Sequence, residues 1–177
     1  RLLGKAVGRK LTSVECCLLI DEAAVTIVAG NIRRSAGMRQ FASNDSSAAG
    51  AKDNLWQQDG DGNWRIDPER DALRMANHTR VYHTRPTREV LLEAVTRQFH
   101  SGEGAIQFAP EAIARSNADL LNTPELRREF IEIYCDQGRD EARRWLDLHH
   151  GPMDAAELEH RLGRYGLNPC GEILGAD

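Results

Sequence analysis

The sequence lacks a continuous apolar run approaching the ~20 residues that a membrane-spanning helix needs, so no integral membrane protein is predicted. It also lacks an excess of positive charge. The net charge is -4, which gives no general attraction to nucleic acid or to anionic lipid, so any phosphate binding must be local. The six histidines are dispersed without the spacing of metal ligands, and no metal site is expected.

Cysteine is scarce as well. The four cysteines form no CxxC motif and no Cys/His zinc pattern, and the adjacent Cys16 and Cys17 do not suit a secreted disulfide framework. A reducing cytoplasm is therefore the expected location. Cys16, Cys17 and Cys135 lie in apolar, helix-like surroundings, and we expect them to be small core residues.

The overall composition is typical of a soluble globular protein. Hydrophobic residues make up 41% and charged residues 28% of the 177 residues, a length that suits one domain with a sizeable core. Both ends look cut, because no initiator methionine precedes Arg1 and the last residues, ILGAD, stop without a tapering tail. Residues 1–177 are therefore expected to be one domain, or one piece of a larger one.

The first half predicts one long helix. Thr12 and Glu15 form a capping-box pattern, an apolar stretch follows to Ala29, and Gly30 is a natural stop. We expect a mostly buried helix over residues 13–29. The following segment, NIRRSAGMRQFA, is expected to be a loop that leads into a strand.

Residues 43–66 are predicted to be a loop or hairpin, because the stretch is polar and rich in small residues. Trp56 and Trp64 flank the turn. The sequence DGDGN at 59–63 begins like a calcium loop, but an EF-hand would need glycine at Trp64 and an acid at Arg70. A hairpin turn is therefore favoured.

Two helices and a strand are predicted next. Asp67 and Pro68 suit an N-cap and first helical residue, so PERDALRMAN is expected to be helical. A second helix is expected over TREVLLEAVTRQFH. The apolar side chains of its one broad face are Val90, Leu91, Ala94, Val95 and Phe99. SGEG should end this helix, and AIQFA is expected to be a short buried strand.

The last third is predicted to be helical. Thr123 and Pro124 should start the helix PELRREFIEIYCDQ, and Gly138 should close it. Two charged helices follow within residues 138–163, which we expect to be a peripheral helical insertion. The second of them starts with a capping-box pattern formed by Asp154 and Glu157.

Two short stretches offer chemistry. In AGNIRRSAG, glycines allow tight turns and two successive arginines offer bidentate partners for phosphate. The alternative interpretation is a solvated basic turn after a helix. In GLNPCGEIL, the residue before proline is pushed towards an extended conformation, so Asn168, Cys170 and Glu172 would line one side of the chain. Neighbouring members of this set would be about 6.6 Å apart, which suits several atoms of one small substrate.

These three groups have complementary chemistry. A carboxylate can act as a general base towards a hydroxyl, and an amide can hold a second oxygen without taking its proton. The Cys170 thiol between them could serve as nucleophile, redox group or radical carrier. The alternative is a Pro-Gly turn that contains a buried cysteine. The residues by themselves therefore predict a thiol active site without naming its reaction.

Both stretches resemble one known family. LNPCGEI is similar to the active-site finger-loop motif of ribonucleotide reductase large subunits. VAGNIRRSAG resembles the segment that links the specificity effector to the substrate in the coenzyme-B12-dependent class. The stretches LTSVECC, AKDNLWQQD, NWRIDPERDALRMANHTRV and GEGAIQF, in the same order, also resemble adenosylcobalamin-dependent (class II) ribonucleoside-triphosphate reductases of the monomeric type.

The resemblance implies roles for the two stretches. Cys170 would carry a thiyl radical that removes the 3′-hydrogen of the ribonucleotide, Glu172 would take the 3′-hydroxyl proton, and Asn168 would hydrogen-bond the sugar hydroxyls. The loop that couples a bound deoxynucleotide effector to substrate choice would contain Gly30, Asn31, Ile32, Arg33, Arg34, Ser35 and Ala36.

The resemblance also implies a fold and partners. The expected fold is α/β, a helix-rich fragment of a ten-stranded α/β barrel with a central finger loop. The intact enzyme would use adenosylcobalamin and a thioredoxin-type reductant, with no nucleic acid or membrane partner. Its pair of reducing cysteines and most of the cobalamin contacts would lie outside this chain, so the fragment is expected to be inactive alone.

Two other functions stay open at this stage. The parent protein could be a ribonucleoside-diphosphate reductase large subunit that uses a different radical source, such as a separate small metal subunit. Alternatively, the chain could be a non-catalytic nucleotide-binding regulator built around Arg33 and Arg34. The regulator predicts nucleotide binding by these 177 residues and no effect of changing Glu172.

Overall fold

The computed structural model describes residues 2–28 and 37–168, which form a helix-rich mixed α/β structure. The helices are α1 (Leu2–Lys5), α2 (Ser13–Val28), α3 (Ser46–Ala49), α4 (Arg88–Ser101), α5 (Ala109–Ser116), α6 (Pro124–Gln137), α7 (Arg139–His150) and α8 (Ala155–Leu162). A 3-10 helix spans Asp71–Met75. The strands are β1 (Gly37–Ala42), β2 (Trp56–Gln58), β3 (Trp64–Ile66), β4 (Ala76–Tyr82) and β5 (Ala105–Phe108).

The predicted α/β class is confirmed. Strands β1, β4 and β5 form a parallel three-stranded sheet with β4 in the centre, while β2 and β3 form a separate antiparallel pair. Parallel strands need long crossover connections, which here contain α3, the β2–β3 pair and the 3-10 helix between β1 and β4, and helix α4 between β4 and β5. The ten-stranded barrel with its finger loop stays a prediction.

The chain divides into two compact units. Unit 1 contains residues 1–80 and 93–105, and unit 2 contains residues 81–92 and 106–177. The backbone passes from one unit to the other within β4, within α4 and at the start of β5. Each unit is described by itself below.

The predicted capping box at the start of α2 is confirmed. The backbone amide of Thr12 donates to Oε2 of Glu15 (2.9 Å), and the amide of Glu15 donates to Oγ1 of Thr12 (3.2 Å). This reciprocal pair satisfies two amides that the first helical turn leaves without partners. The helix is described as far as Val28, and its predicted end at Ala29 lies outside the described residues.

The expected burial of α2 is wrong. Among its described side chains, Asp21 is the one that is buried, and Cys16 is exposed. Cys17 and Cys135 are half-buried, so the three cysteines are not core residues in the described structure. Apolar composition alone misled the prediction, because the helix exposes apolar side chains such as Ile20.

The hairpin expected within residues 43–66 is confirmed, with the short helix α3 in front of it. Trp56 pairs with Ile66 and Gln58 pairs with Trp64. The Asp59 carboxylate closes the turn, where its Oδ1 accepts from the backbone amides of Asp61 (3.0 Å) and Asn63 (2.9 Å). These bonds use the carboxylate for turn formation, as expected of an Asx-type turn.

The helix expected over PERDALRMAN is wrong, since its first three residues, 68–70, form a turn. A 3-10 helix covers Asp71–Met75, and the chain then enters β4. Five of the seven residues of β4 are buried, as expected of the central strand of a sheet whose two faces are covered. The local Asp-Pro start signal favours a helix, but pairing with β1 and β5 decides the conformation.

The helix expected over TREVLLEAVTRQFH is confirmed as α4, but its apolar face is not buried. Ala94 is buried, while the larger side chains of that face stay exposed, namely Val90, Leu91, Val95 and Phe99. Periodicity indicates which residues share a face, and it does not show that the face is covered. The break at SGEG is confirmed by positive φ angles at Gly102 (70°) and Gly104 (105°). The expected strand is confirmed as β5, Ala105–Phe108, but its expected burial is wrong, since Gln107 is its one buried residue.

The core of unit 2 contains residues from α5, α6, α7 and α8. Its largest fully buried side chain is Phe130. The centroid of the Phe130 ring lies 6.0 Å from that of Tyr134 and 6.3 Å from that of Trp145. Helices α7 and α8 supply Ala142, Leu146, Leu158 and Leu162. Residues 138–163 are helical as predicted, but within unit 2 they belong to the core. Their status as an insertion stays a prediction.

The predicted helix caps of unit 2 are confirmed. Oγ1 of Thr123 accepts from the amide of Leu126 (3.2 Å), and Oδ1 of Asp154 accepts from the amide of Ala156 (2.9 Å). Gly138 closes α6 with φ 95°, a left-handed conformation that costs glycine little. The sequence analysis missed helix α5, whose six buried residues form one wall of the core.

Candidate functional site

The described structure contains one of the predicted catalytic residues. Asn168 is the last described residue before the C-terminus and is half-buried. Cys170 and Glu172 lie outside the described residues. The same holds for the complete predicted effector segment, Gly30, Asn31, Ile32, Arg33, Arg34, Ser35 and Ala36. The structure therefore describes the residues that flank these two stretches and not the stretches themselves.

Residues 164–167, which precede Asn168, form hydrogen bonds with β5 and α5. Leu167 forms an isolated β-bridge, and the carbonyl oxygen of Tyr165 accepts a hydrogen bond from Nε2 of Gln107 in β5. The hydroxyl of Ser116 in α5 donates to the carbonyl oxygen of Arg164. The bridge at Leu167 agrees with the extended approach that the sequence predicts, and the residues that bind the segment belong to unit 2.

A buried amide anchors the start of this approach. Asn117 is fully buried, and its Nδ2 donates to the carbonyl oxygens of Ile113 (2.8 Å) and Arg161 (2.9 Å). Nη1 of Arg161 donates back to Oδ1 of Asn117 (3.2 Å) and to Oδ2 of Asp119 (2.9 Å). The amide thus joins the end of α5 to the end of α8, three residues before Arg164. Sequence analysis did not single out Asn117.

An ion pair joins the two elements that flank the predicted effector segment. Asp21 in α2 is 1% exposed and Arg39 in β1 is 6% exposed, with 3.1 Å between Asp21 Oδ2 and Arg39 Nη2. Arg39 Nη2 also donates to the carbonyl oxygen of Leu73 (2.7 Å). Helix α2 precedes residues 29–36 and strand β1 follows them, so this pair holds together the two ends of that segment.

Several polar atoms of this ion pair lose their contact with water without gaining a hydrogen bond in the protein. Within the described residues, Oδ2 of Asp21 and the Nε and Nη1 atoms of Arg39 are buried without a hydrogen bond. Burial raises the pKa of Asp21 to about 6, although the charges of Arg39 and Lys52 act in the opposite direction. The cost of removing the carboxylate from water therefore exceeds the attraction of its cationic neighbours.

A second buried polar cluster lies in unit 1. Nζ of Lys52 donates to the carbonyl oxygen of Ala76 (2.7 Å) and to Oε1 of Glu103 (2.8 Å). Nε2 of His78 donates to the carbonyl oxygen of Ala48 (2.5 Å), and burial is the main cause of the lowered pKa of this imidazole. The adjoining cavity of about 20 Å³ has room for one water molecule and is too small for a nucleotide.

This cluster was not predicted, and no local pattern could have revealed it. Lys52, His78 and Glu103 are far apart in the sequence, and each resembles an ordinary surface residue. The fold brings them together because α3 and β4 are neighbours and Glu103 follows α4. The cluster provides hydrogen-bond partners for the carbonyl groups of Ala76, the first residue of β4, and of Ala48 in α3, which is a structural function.

The described residues contain no group of three His, Cys, Asp or Glu side chains that could hold a metal ion. No helix in the described ranges is long and apolar enough to cross a membrane.

The described structure therefore shows an anchored approach to Asn168 within unit 2 and, separately, a buried ion pair between α2 and β1 within unit 1. Cys170 and Glu172 lie outside the described residues, so the role of their motif stays a prediction. Comparison with known proteins finds no matching family model, no matching curated protein and no matching solved structure.

Proposed function

We propose that this chain is an internal part of an adenosylcobalamin-dependent ribonucleoside-triphosphate reductase, which makes deoxyribonucleotides for DNA synthesis. The observation that carries the proposal is the alternation of Asn168, Cys170 and Glu172 around Pro169 and Gly171. A thiol between an amide and a carboxylate, all on one side of an extended chain, suits a reaction on a ribose ring.

The proposed roles are those that the resemblance implies, and the chemistry of each side chain is compatible with them. Cys170, as a thiyl radical, removes hydrogen from C3′ of the ribonucleotide. Glu172 accepts the proton of the 3′-hydroxyl group, and Asn168 donates hydrogen bonds to the sugar oxygens without taking a proton. Adenosylcobalamin, when bound to the intact enzyme, supplies the organic radical. A thioredoxin-type dithiol returns the enzyme to its reduced state.

The described structure supports the proposal at one position. The β-bridge at Leu167 is the extended geometry that alternation of side chains requires, and Pro169 restricts Asn168 to similar backbone angles. The bonds from Gln107 and Ser116 to the preceding carbonyl groups hold the approach in place. Catalysis depends on such positioning of reacting groups.

The effector segment gives a second line of support. Two successive arginines between glycines suit a loop that contacts a phosphate or a base, and GNIRRSA precedes NPCGEI in the chain as in the family that it resembles. The Asp21–Arg39 pair would hold the base of that loop.

The decisive experiment replaces the thiol in the full-length parent protein. Cys170→Ser should abolish nucleotide reduction, because a hydroxyl group does not form the required radical, while substrate binding should persist. Cys135→Ser is the matched control, since Cys135 is a half-buried cysteine on α6 outside the motif. Reduction by the Cys170→Ser protein would refute the catalytic assignment.

The same assay separates the other functions. Reduction that depends on added adenosylcobalamin supports the proposed class, whereas reduction that needs a second, metal-containing subunit indicates the diphosphate-reductase alternative. A regulator would bind nucleotide as the isolated chain, and Glu172→Gln would leave its activity unchanged. Loss of reduction in the Glu172→Gln parent would therefore exclude the regulator.

A further inference from the structure

Unit 2 contains a cleft rich in arginine. It lies between the loop after β4, helix α5 and the first turns of α6, and its volume is about 460 Å³. Four arginines and two glutamates line it, namely Arg85, Arg115, Arg127, Arg128, Glu111 and Glu132. The arginines outnumber the acids by 4 to 2, a local charge of +2 in a chain whose net charge is -4.

The four arginines of the cleft differ in whether they have a partner within the chain. Arg115 is paired with Glu111 (2.6 Å), and Nη1 of Arg127 donates to the carbonyl oxygen of Leu121 (3.0 Å). In residues 2–28 and 37–168, Arg85 and Arg128 have no ion pair and no hydrogen-bond partner. Elsewhere in unit 2, Arg139, Arg143, Arg144 and Arg161 are paired with carboxylates, whereas Arg88 and Arg164 have no carboxylate partner among the described residues.

We propose that this cleft binds a linear di- or triphosphate group, either free or carried by a larger molecule. A guanidinium group presents a planar fork of donors that matches phosphate oxygens, and several forks can share one polyphosphate. Pro124, the first residue of α6, also lines the cleft. The N-terminal end of that helix adds a partial positive charge.

The size of the cleft favours a chain of phosphates over a single small anion. The cleft volume of about 460 Å³ lies far above the roughly 10–15 Å³ that a single water molecule needs on the same measure, so the cleft has room for an anion of several phosphate groups. A single chloride or phosphate ion would contact few of the four arginines. A longer anion can reach Arg85 on the loop after β4 and Arg128 on α6 together.

This proposal does not depend on the reductase assignment, because Asn168, Cys170 and Glu172 take no part in it. Failure of one leaves the other standing. The reductase is tested by turnover of the parent protein, whereas the cleft is tested by equilibrium binding to the 177-residue chain.

The test is calorimetric titration of the chain with sodium tripolyphosphate at low salt and without divalent cations. Arg85→Gln and Arg128→Gln should each weaken binding by roughly tenfold or more, which is the effect expected for losing a charged hydrogen bond. Arg144→Gln is the matched control. It removes the same charge from an exposed position on α7, where Arg144 pairs with Glu141 outside the cleft. Its effect should be below about twofold, because long-range screening weakens remote charges.

Further ligands distinguish the sources of the phosphate. Tripolyphosphate and a nucleoside triphosphate that bind equally well indicate recognition of the phosphate chain alone, and tighter binding of the nucleoside triphosphate indicates a nucleotide as the source. In either case, Arg85→Gln and Arg128→Gln must each weaken the binding of both ligands.

Three results would overturn the proposal. One is the absence of measurable tripolyphosphate binding at millimolar concentration. Another is equal weakening by Arg144→Gln and by the two cleft variants, which would show a general charge effect. The third is tighter binding of a polyglutamate peptide than of tripolyphosphate, which would make the cleft a peptide surface. Circular dichroism of each exposed-arginine variant checks that the fold is retained.

Discussion

Replacement of Asp21 by asparagine should change how the stability of the chain depends on pH. Asp21 is 1% exposed, and burial raises the pKa of its carboxyl group to about 6. An unfolded chain has an aspartate pKa of about 3.9. The folded state therefore binds the proton more tightly than the unfolded state between these two values, and stability falls as pH rises through that range.

The magnitude follows from the two pKa values. At 1.36 kcal/mol per unit, a rise from about 3.9 to about 6 corresponds to about 3 kcal/mol. The stabilisation from this group is fully present below about pH 4 and is lost as pH rises through about 6. Asparagine has a similar shape and does not ionise. The free energy of unfolding of Asp21→Asn, minus that of the unchanged protein, should therefore increase by about 2 kcal/mol between pH 4 and pH 7, because part of the stabilisation is already lost at pH 4.

The assay is urea-induced unfolding of both proteins at several values between pH 4 and pH 8. Other groups also titrate, and the lowered pKa values of Glu15, Asp59 and Asp67 produce the opposite slope, with stability lost at low pH. These contributions are common to both proteins and cancel in the difference. Asp71→Asn is the control, because Asp71 is an exposed carboxylate paired with Arg74.

A pH-independent difference between Asp21→Asn and the unchanged protein would refute the reasoning. It would mean that Asp21 is not buried as described, or that Arg39 compensates the carboxylate fully. A difference that decreases from pH 4 to pH 7 would show that the ion pair stabilises the ionised carboxylate. Breaking it by removing one partner would then cost about 3–5 kcal/mol at neutral pH.

Two further changes test the architecture of unit 2. Phe130→Ala should lower the free energy of unfolding by about 3–5 kcal/mol, because the ring is fully buried and its removal leaves a cavity. Urea unfolding measures this change. A loss below about 1 kcal/mol would contradict the described core. Asn117→Ala should cost about 1–3 kcal/mol, because the carbonyl groups of Ile113 and Arg161 lose their donor. Hydrogen exchange should speed up in residues 161–167, and unchanged exchange there would mean that the amide does not anchor the approach to Asn168.

Local signals in the sequence predicted much of the secondary structure. The boundaries of α2, α6 and α8 follow from capping side chains, since Thr12, Thr123 and Asp154 each satisfy backbone amides within their own first turn. Such bonds join residues that are two or three positions apart, so a sequence displays them directly. The hairpin around Asp59 is local for the same reason.

The incorrect predictions share a physical cause. Strand β4 starts after a segment with helix signals, but its pairing with β1 and β5 involves residues far away in the chain. Helix α2 was expected to be mostly buried, but an apolar composition contains no information on which element covers a helix. The three cysteines were predicted to be core residues because their neighbours in the sequence are apolar. Apolar neighbours in the sequence do not show that a side chain is buried in the fold.

The chemistry of the candidate site divides in the same way. The sequence determines that an amide, a thiol and a carboxylate alternate at 168–172, because alternation is a property of neighbouring residues and of the proline between them. The burial of Asp21 beside Arg39, the anchoring of Arg161 by Asn117 and the convergence of four arginines in one cleft were settled by the tertiary structure. Each of these depends on desolvation and on contacts between distant segments, which exist only when the chain is folded.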